Sequence, residues 1–321
     1  MNSALKFIQG STIIGSSFLI MNQLRQKGNS QAQAEGNQTG SNSKNHFFGA
    51  YSNIPHIEKR HRGGEDAWII SSNLLAVADG VGGWNRKGVD PGIFARELCS
   101  HVTQVFQEHR NGTDGQNAKR IVDINLTEVL VEGVKRTKAM GTSTFVLASI
   151  DDDGESKIQG LNLGDSAYMI VRPDPHQEQG FELIFRSKEQ QYRFNYPYQC
   201  GTNYDPPHHA DRQEHDIKHN DVVILGTDGV FDNLFHDQIF QCLKPEINYS
   251  NPDHPINHFN MTDPQSASNC IANTAEKFSY DKTWDSPFSK GARAAGRNRE
   301  TGGKDDDITV IVAQIKLPKI F

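Results

Sequence analysis

The chain has 321 residues, with 33 Lys and Arg against 39 Asp and Glu, a formal net charge of −6. That balance supplies no global basic field to favour nucleic acid, and no nucleic-acid partner is expected. At 36% apolar residues, the chain can bury a core for one large domain or two ordinary ones.

From Met1 to Ala34 there is no Asp or Glu, and the charges are Lys6, Arg25 and Lys27. The apolar run from Phe7 to Met21 is shorter than the roughly 18–20 residues that a bilayer span needs. No stable membrane span is therefore expected. An acid-free, hydroxyl-rich leader of this kind suits a mitochondrial presequence. A cytoplasmic protein with a plain tail, or a secretory or membrane-anchored one, is the alternative. Residues 28–44 read as a linker, so 1–45 form a leader and 46–321 the folded domain.

Two short apolar runs, 67–71 and 74–78, are joined by Ser72-Asn73 and predict a hairpin. Asp90-Pro91 opens a helix, with Ile93, Phe94, Leu98, Val102, Val105 and Phe106 on one stripe. A second helix is predicted over 125–138, followed by strands over 143–150, 157–163 and 168–172. Asp151-Asp152-Asp153-Gly154 between two of them reads as a solvated turn. Further strands are predicted over 181–186, 222–225 and 308–312, and helices over 236–243 and 265–278. Residues 248–263 and 280–303 read as loops. The second carries Lys290, Arg293, Arg297 and Arg299, basic residues suited to a flap beside a cleft. Strands outnumber helices without regular alternation, which argues for antiparallel sheets with helices packed outside. The four cysteines Cys99, Cys200, Cys242 and Cys270 form no CxxC pair and read as free thiols of a reducing compartment.

Acids stand at the ends of the most apolar runs: Asp79 after 75–78, Asp228 after 222–225, and Asp306-Asp307 before 308–312. Glu65-Asp66 precede 67–70, and Asp165 closes 159–164. Glycine follows or flanks three of them, allowing close backbone approach. Carboxylates at the rims of buried strands lose solvation and repel one another, which divalent cations relieve. All-oxygen ligands select Mg²⁺, Mn²⁺ or Ca²⁺ over Zn²⁺.

Six segments in order resemble the signature of the protein phosphatase 2C family, the metal-dependent protein serine/threonine phosphatases. They are Gly64-Glu65-Asp66-Ala67, Ala78-Asp79-Gly80-Val81-Gly82-Gly83-Trp84 and Gly141-Thr142-Ser143-Thr144, then Asn162-Leu163-Gly164-Asp165-Ser166, Thr227-Asp228-Gly229-Val230-Phe231-Asp232-Asn233 and Asp306-Asp307-Ile308-Thr309-Val310. Val89-Asp90-Pro91, Glu189-Gln190-Gln191-Tyr192, Asn195-Tyr196-Pro197-Tyr198-Gln199 and Ser286-Pro287-Phe288 resemble the small, single-domain mitochondrial branch. The resemblance covers roughly residues 48–315.

It implies an α+β fold, a four-layer α-β-β-α sandwich of two antiparallel sheets flanked by helices, with the metals in a cleft at one edge. It also implies two Mg²⁺ or Mn²⁺ ions, with a weaker third linked to Asp165. Asp79 would bridge the two ions, the Gly80 carbonyl would reach one of them, and Asp228 and Asp306 would be further direct ligands. These three acids would carry the catalysis. Glu65 and Asp66 would hold metal-bound waters, and Asp232 and Asp307 would stand just behind the ligands. A hydroxide bridging the ions would attack phosphorus in line, with no phosphoenzyme and no cysteine nucleophile. The partners implied are phosphoprotein substrates, and a monomer is expected. Two departures stand out. Val81 replaces a histidine that many members carry as a candidate general acid, with metal-bound water as its expected substitute. His61 replaces the family's phosphate-binding arginine, leaving Arg62, or Arg60, to serve. A non-catalytic phosphoprotein adaptor, or a phosphatase of small molecules, is the competing expectation.

Overall fold

A computed structural model describes residues 44–112, 116–152, 154–204, 207–249, 259–298 and 300–318. The expected leader, Lys44 and Asn45 apart, lies outside the described residues, as do Asp153, Arg299 and most of the loop expected over 248–263. In chain order, the first strands are β1 (His46–Ile54), β2 (Asp66–Ile70) and β3 (Leu74–Asp79), followed by helices α1 (Pro91–Asn111) and α2 (Leu126–Arg136). Next come β4 (Thr142–Ser143), β5 (Phe145–Ile150), β6 (Lys157–Leu163), β7 (Ala167–Pro173) and β8 (Phe181–Arg186). The short β9 (Gln191–Arg193), β10 (Tyr196–Pro197) and β11 (Cys200–Gly201) precede β12 (Asp211–Asp216) and β13 (Val222–Gly226). Helices α3 (Asp228–Phe231), α4 (His236–Leu243), α5 (Pro264–Ser279) and α6 (Pro287–Ala294) lead to the last strand, β14 (Ile308–Lys316).

The order β1-β14-β13-β7-β8 forms one five-stranded sheet and β12-β6-β5-β3-β2 the other, and every pairing is antiparallel. Successive side chains of a strand face opposite sides, and here both sides are apolar. In β3, Leu75 and Val77 enter the layer between the sheets, where they join Val223 and Leu225 of β13 and Tyr168 and Ile170 of β7. Their neighbours Leu74, Ala76 and Ala78 pack instead on Phe94, Leu98 and Val102 of α1 and Leu130 of α2. Val222 and Ile224 meet Ile239 and Leu243 of α4 and Ile271 and Ala275 of α5. The result is the expected α-β-β-α order of layers. Asp90 caps α1 by accepting from the Gly92 N–H at 3.0 Å, with Pro91 in the first turn.

Several expectations need correction. Ile93 is 53% exposed, because the buried stripe of α1 runs through Phe94, Leu98 and Val102, one position round the helix. The Asp151-Asp152 turn is buried. Arg120 donates to Asp151 at 2.9 Å, and Lys44 (3.2 Å) and Arg110 hold Asp152, so pairing offsets part of the cost of desolvation. The stretch expected to be irregular over 280–303 contains α6, capped by the Ser286 hydroxyl accepting from the Ser289 N–H at 3.0 Å. No strand is predicted over β1 or β12, yet β1 pairs along its whole length with β14. Among the described residues, no helix is long and apolar enough to cross a membrane.

The expectation of four free thiols also fails. Cys242 of α4 and Cys270 of α5 form a disulfide, because two helices packed on the same sheet bring their Cα atoms to 5.4 Å. Cys99 and Cys200 remain free and buried. The bridge closes a loop of 28 residues in sequence, for which chain entropy gives about 3–4 kcal/mol. Urea unfolding with and without dithiothreitol should therefore differ by roughly that amount. Equal midpoints would mean the bridge contributes nothing in solution.

Candidate metal centre

The site begins where β2 starts and β3 ends. The register places Asp66 opposite Asp79, so two carboxylates face each other across one rung. The Gly80 N–H donates to the Glu65 carbonyl at 3.1 Å. A Cβ at Gly80 would lie 2.8 Å from that carbonyl oxygen and from the Pro91 backbone, so only glycine lets these segments approach. The next turn is held by the Gly141–Thr144 motif. The Thr144 N–H (2.9 Å) and Ser143 hydroxyl (2.8 Å) donate to the Asp79 carbonyl, and the Val81 N–H donates to that of Thr142 at 3.0 Å.

Across the sandwich, β13 ends at Gly226 and Asp228 opens α3. Thr227 stitches this end together: its N–H donates to the Thr309 carbonyl at 3.0 Å, and its hydroxyl donates to Asp66 at 3.0 Å. Asp165 lies in the turn between β6 and β7 and accepts from the Gln191 side chain at 3.2 Å. Asp307, 2% exposed, accepts from the His56 N–H (2.8 Å), the Glu65 N–H (3.2 Å) and Lys59 Nζ (2.9 Å). It therefore fixes the segment that carries Glu65. Glu65 itself meets Lys59 at 2.7 Å, Arg62 at 2.6 Å and Asn85 at 2.7 Å.

The expected ligands thus gather at one set of strand ends. Burial first, then the charges of Asp228, Asp66, Asp306 and Asp165, push the Asp79 carboxyl well above the usual range. Burial likewise raises Asp66 and Asp165, and Asp228 to about 6, the last opposed by the Lys304 ammonium. Asp306 goes the other way: burial would raise it, but Lys304 and Lys59 together hold it below the ordinary value. The buried oxygens Asp165 Oδ1 and Asp228 Oδ1 have no hydrogen-bond partner. These acids are near enough to feel one another. Still, among the described residues no three lie close enough to share one ion as they stand.

Two residues escape the sequence reading. Lys304 Nζ ion-pairs with Asp228, with Asp232 at 2.9 Å and with Asp306 at 3.3 Å. Lys59 reaches Asp306 at 3.4 Å as well as Glu65 and Asp307. Their only signal is position, Lys304 two residues before Asp306 and Lys59 six before Glu65. Arg62, expected to bind phosphate, has Nη2 on Glu65 and Nη1 on Asn85 at 3.0 Å. Arg60 reaches away to Glu276 at 2.6 Å. Arg293 pairs with Asp285 at 2.7 Å, and Lys290 lies over the Phe235 ring. The Cys200 thiol, fully buried and pushed up to about 12, is no nucleophile.

A sequence profile of protein phosphatase 2C matches residues 61–260. "Probable protein phosphatase 2C 80" of Arabidopsis thaliana is 35% identical over 266 residues, which cover 82% of this chain and 57% of that one. "Protein phosphatase PTC7 homolog fig" of Drosophila mojavensis is 31% identical over 281 residues, covering 82% and 81%. The chain spans just over half the length of the Arabidopsis relatives it matches. Among solved structures, the photosystem II phosphatase PBCP superposes with a TM-score of 0.69 at 27% identity, covering 84% of this chain and 99% of that one. The catalytic domain of the serine threonine protein phosphatase PstP, in complex with 2 manganese ions, gives 0.51 at 13% identity over 85% and 99%, a likeness of fold alone.

Proposed function

The chain belongs to the protein phosphatase 2C family, and from that premise we propose that it hydrolyses phosphoserine and phosphothreonine in protein substrates at a centre of two Mg²⁺ or Mn²⁺ ions. One observation carries this reading: acids from separate strand ends lie within one another's field, Asp66, Asp165 and Asp228 buried among them, with Asp165 Oδ1 and Asp228 Oδ1 lacking any donor. A buried carboxylate oxygen without a donor or cation is costly, and an all-oxygen set suits a hard dication. The residues therefore fit such ions in chemistry, although their side chains must draw together to share one.

Asp79, Asp228 and Asp306 would hold the ions directly, with the Gly80 carbonyl, while Glu65 and Asp66 would orient water beside them. When bound, the dications would activate a water and neutralise charge on the phosphoryl oxygens. The chain's own residues do the positioning. Arg62 and Asn85 both grip Glu65 Oε1, so Arg62 is assigned to aligning that acid. Lys59 pairs with Glu65, Asp306 and Asp307 and so holds positive charge beside the proposed ligand Asp306. Val81 offers no proton, so the leaving alkoxide takes its proton from water.

The full chain should turn over a phosphothreonine peptide in Mn²⁺, lose that activity in EDTA, and regain it when Mn²⁺ is restored. Turnover that persists in EDTA would count against the metal reading. Phosphopeptide binding without turnover at saturating Mn²⁺ would point to an adaptor. Faster turnover of sugar or nucleotide phosphates would remove proteins as the substrate class.

A further inference from the structure

We infer that Lys304 is the resident cation among Asp228, Asp232 and Asp306, a tethered substitute for a third metal ion at Asp165 and Asp232, so that the chain takes up two dications and no more. The inference rests on the two-ion reading above and concerns how many ions these acids accept.

Three observations support it. The first is the position of the ammonium. Lys304 Nζ contacts Asp228 and lies 2.9 Å from Asp232 Oδ2 and 3.3 Å from Asp306 Oδ2, and Asp165 is the next carboxylate in its field. Asp165 and Asp232 are the acids farthest from the Asp66–Asp79 rung in role: neither is needed to hold the pair of ions assigned to Asp79, Asp228 and Asp306. The pair of ions would take Asp228 and Asp306 from the ammonium and leave it Asp232, the acid that a third dication beside Asp165 would also need, and like charges at contact distance repel.

The second is that the backbone of Lys304 is held in place. Its N–H donates to Asn233 Oδ1 at 2.8 Å, and Asn233 Nδ2 donates back to the Lys304 carbonyl at 2.8 Å. The same Asn233 amide donates to the Gly229 carbonyl at 2.9 Å. One fully buried side chain therefore ties Lys304 to the turn that carries both Asp228 and Asp232. On the other side, the Gly302 N–H donates to Trp284 (2.7 Å) and the Gly303 N–H to Asp281 (3.1 Å), so the segment entering Lys304 is anchored as well. A surface lysine that had merely fallen toward nearby acids would not need this cradle.

The third is confinement. The side chain is only 13% exposed, and its ammonium also lies 5.5 Å from the Phe288 ring centroid, the first turn of α6 forming a wall on that side. Withdrawal into solvent would cost it Asp232 as well as the two carboxylates it shares with the pair. Entry of a third ion would require that withdrawal.

The test is a metal count on the full chain, stripped with chelator and titrated with Mn²⁺ by calorimetry, with free Mn²⁺ followed by electron paramagnetic resonance. Wild type should take up two ions, and Asp232→Asn should also take up two, because Asp232 is engaged by Lys304. Lys304→Gln should take up three, and adding Asp232→Asn to it should return the count to two. Three ions in wild type, one of them lost in Asp232→Asn, would overturn the inference, and so would a count of two in folded Lys304→Gln. Should Lys304→Gln fail to fold by circular dichroism, Lys304→Met carries the same expectation of three ions, and a count of two in it would overturn the inference. A wild-type count of zero or one would defeat the two-ion reading itself, whereas a count of three defeats only the role given to Lys304.

Discussion

Asp79→Asn should abolish Mn²⁺-dependent turnover while making the metal-free protein more stable. The first half follows from charge. Asp79 faces Asp66 across the β2–β3 rung and lies in the field of Asp228, Asp306 and Asp165, so it is the acid most nearly common to the whole set. Removing a single preorganised electrostatic group from an active site costs roughly 10²–10³ in turnover, and loss of a shared ligand should reach at least the upper end. The second half follows from linkage. Burial and four neighbouring acids raise the Asp79 carboxyl well above its ordinary value of 3.8. A carboxyl raised on folding contributes stability that is present below the unfolded value and lost as pH rises through the folded one. Asparagine does not titrate. In EDTA, the advantage of Asp79→Asn over wild type should therefore grow with pH above about 4, with a slope of up to about 1.4 kcal/mol per pH unit. Urea unfolding at several pH values between 4 and 8 measures it. A variant that is less stable than wild type in EDTA at every pH would contradict the picture of a strained carboxylate cluster.

Much of this architecture is legible in the chain because local chemistry and tertiary packing agree. The runs 74–78 and 222–225 are apolar at every position, and they become strands buried on both faces. Asp90-Pro91 announces a helix and caps one. The acids are legible for the same reason: each sits where an apolar run must stop, and antiparallel pairing brings those stops to one edge. Where the reading fails, the information is held elsewhere in the chain. Strand β12 is Asp-Arg-Gln-Glu-His-Asp, with no apolar face at all, and exists because β6 offers it a partner ladder. Cys242 and Cys270 reveal their pairing only once α4 and α5 lie side by side. Asp151 and Asp152 look like turn residues until Arg120, Arg110 and Lys44 arrive from remote segments to neutralise them. Lys304 is the most instructive case. A lysine beside Gly-Gly and three acids reads as a solvated loop charge, and only the Asn233 bridge, 71 residues away in sequence, turns it inward.

Gly229→Ala should cost both stability and activity, although one methyl group is all it adds. A Cβ at this position would lie 2.0 Å from the Asp307 carbonyl oxygen, 3.0 Å from its carbonyl carbon and 3.1 Å from Ile308 Cγ1. The obstruction is backbone, so no rotamer change relieves it. Nor can Asp307 retreat freely, since its carboxylate is fastened to the His56 and Glu65 N–H groups and to Lys59. The first turn of α3 must therefore shift by about an ångström to restore contact distances. That shift carries Asp228 and Asp232 with it and strains the Asn233–Gly229 hydrogen bond of 2.9 Å. Overpacking of this kind costs about 1–3 kcal/mol, and the lost buried hydrogen bond adds about 1 kcal/mol. A displacement of about 1 Å in a catalytic group can lower turnover by 10²-fold, so activity should fall further than stability alone explains. Thermal unfolding in saturating Mn²⁺, together with kcat on a phosphothreonine peptide, separates the two effects. Wild-type melting and wild-type kcat in Gly229→Ala would mean that Asp228 does not depend on this close approach, and the geometry assigned to the metal centre would have to be redrawn around Asp79 alone.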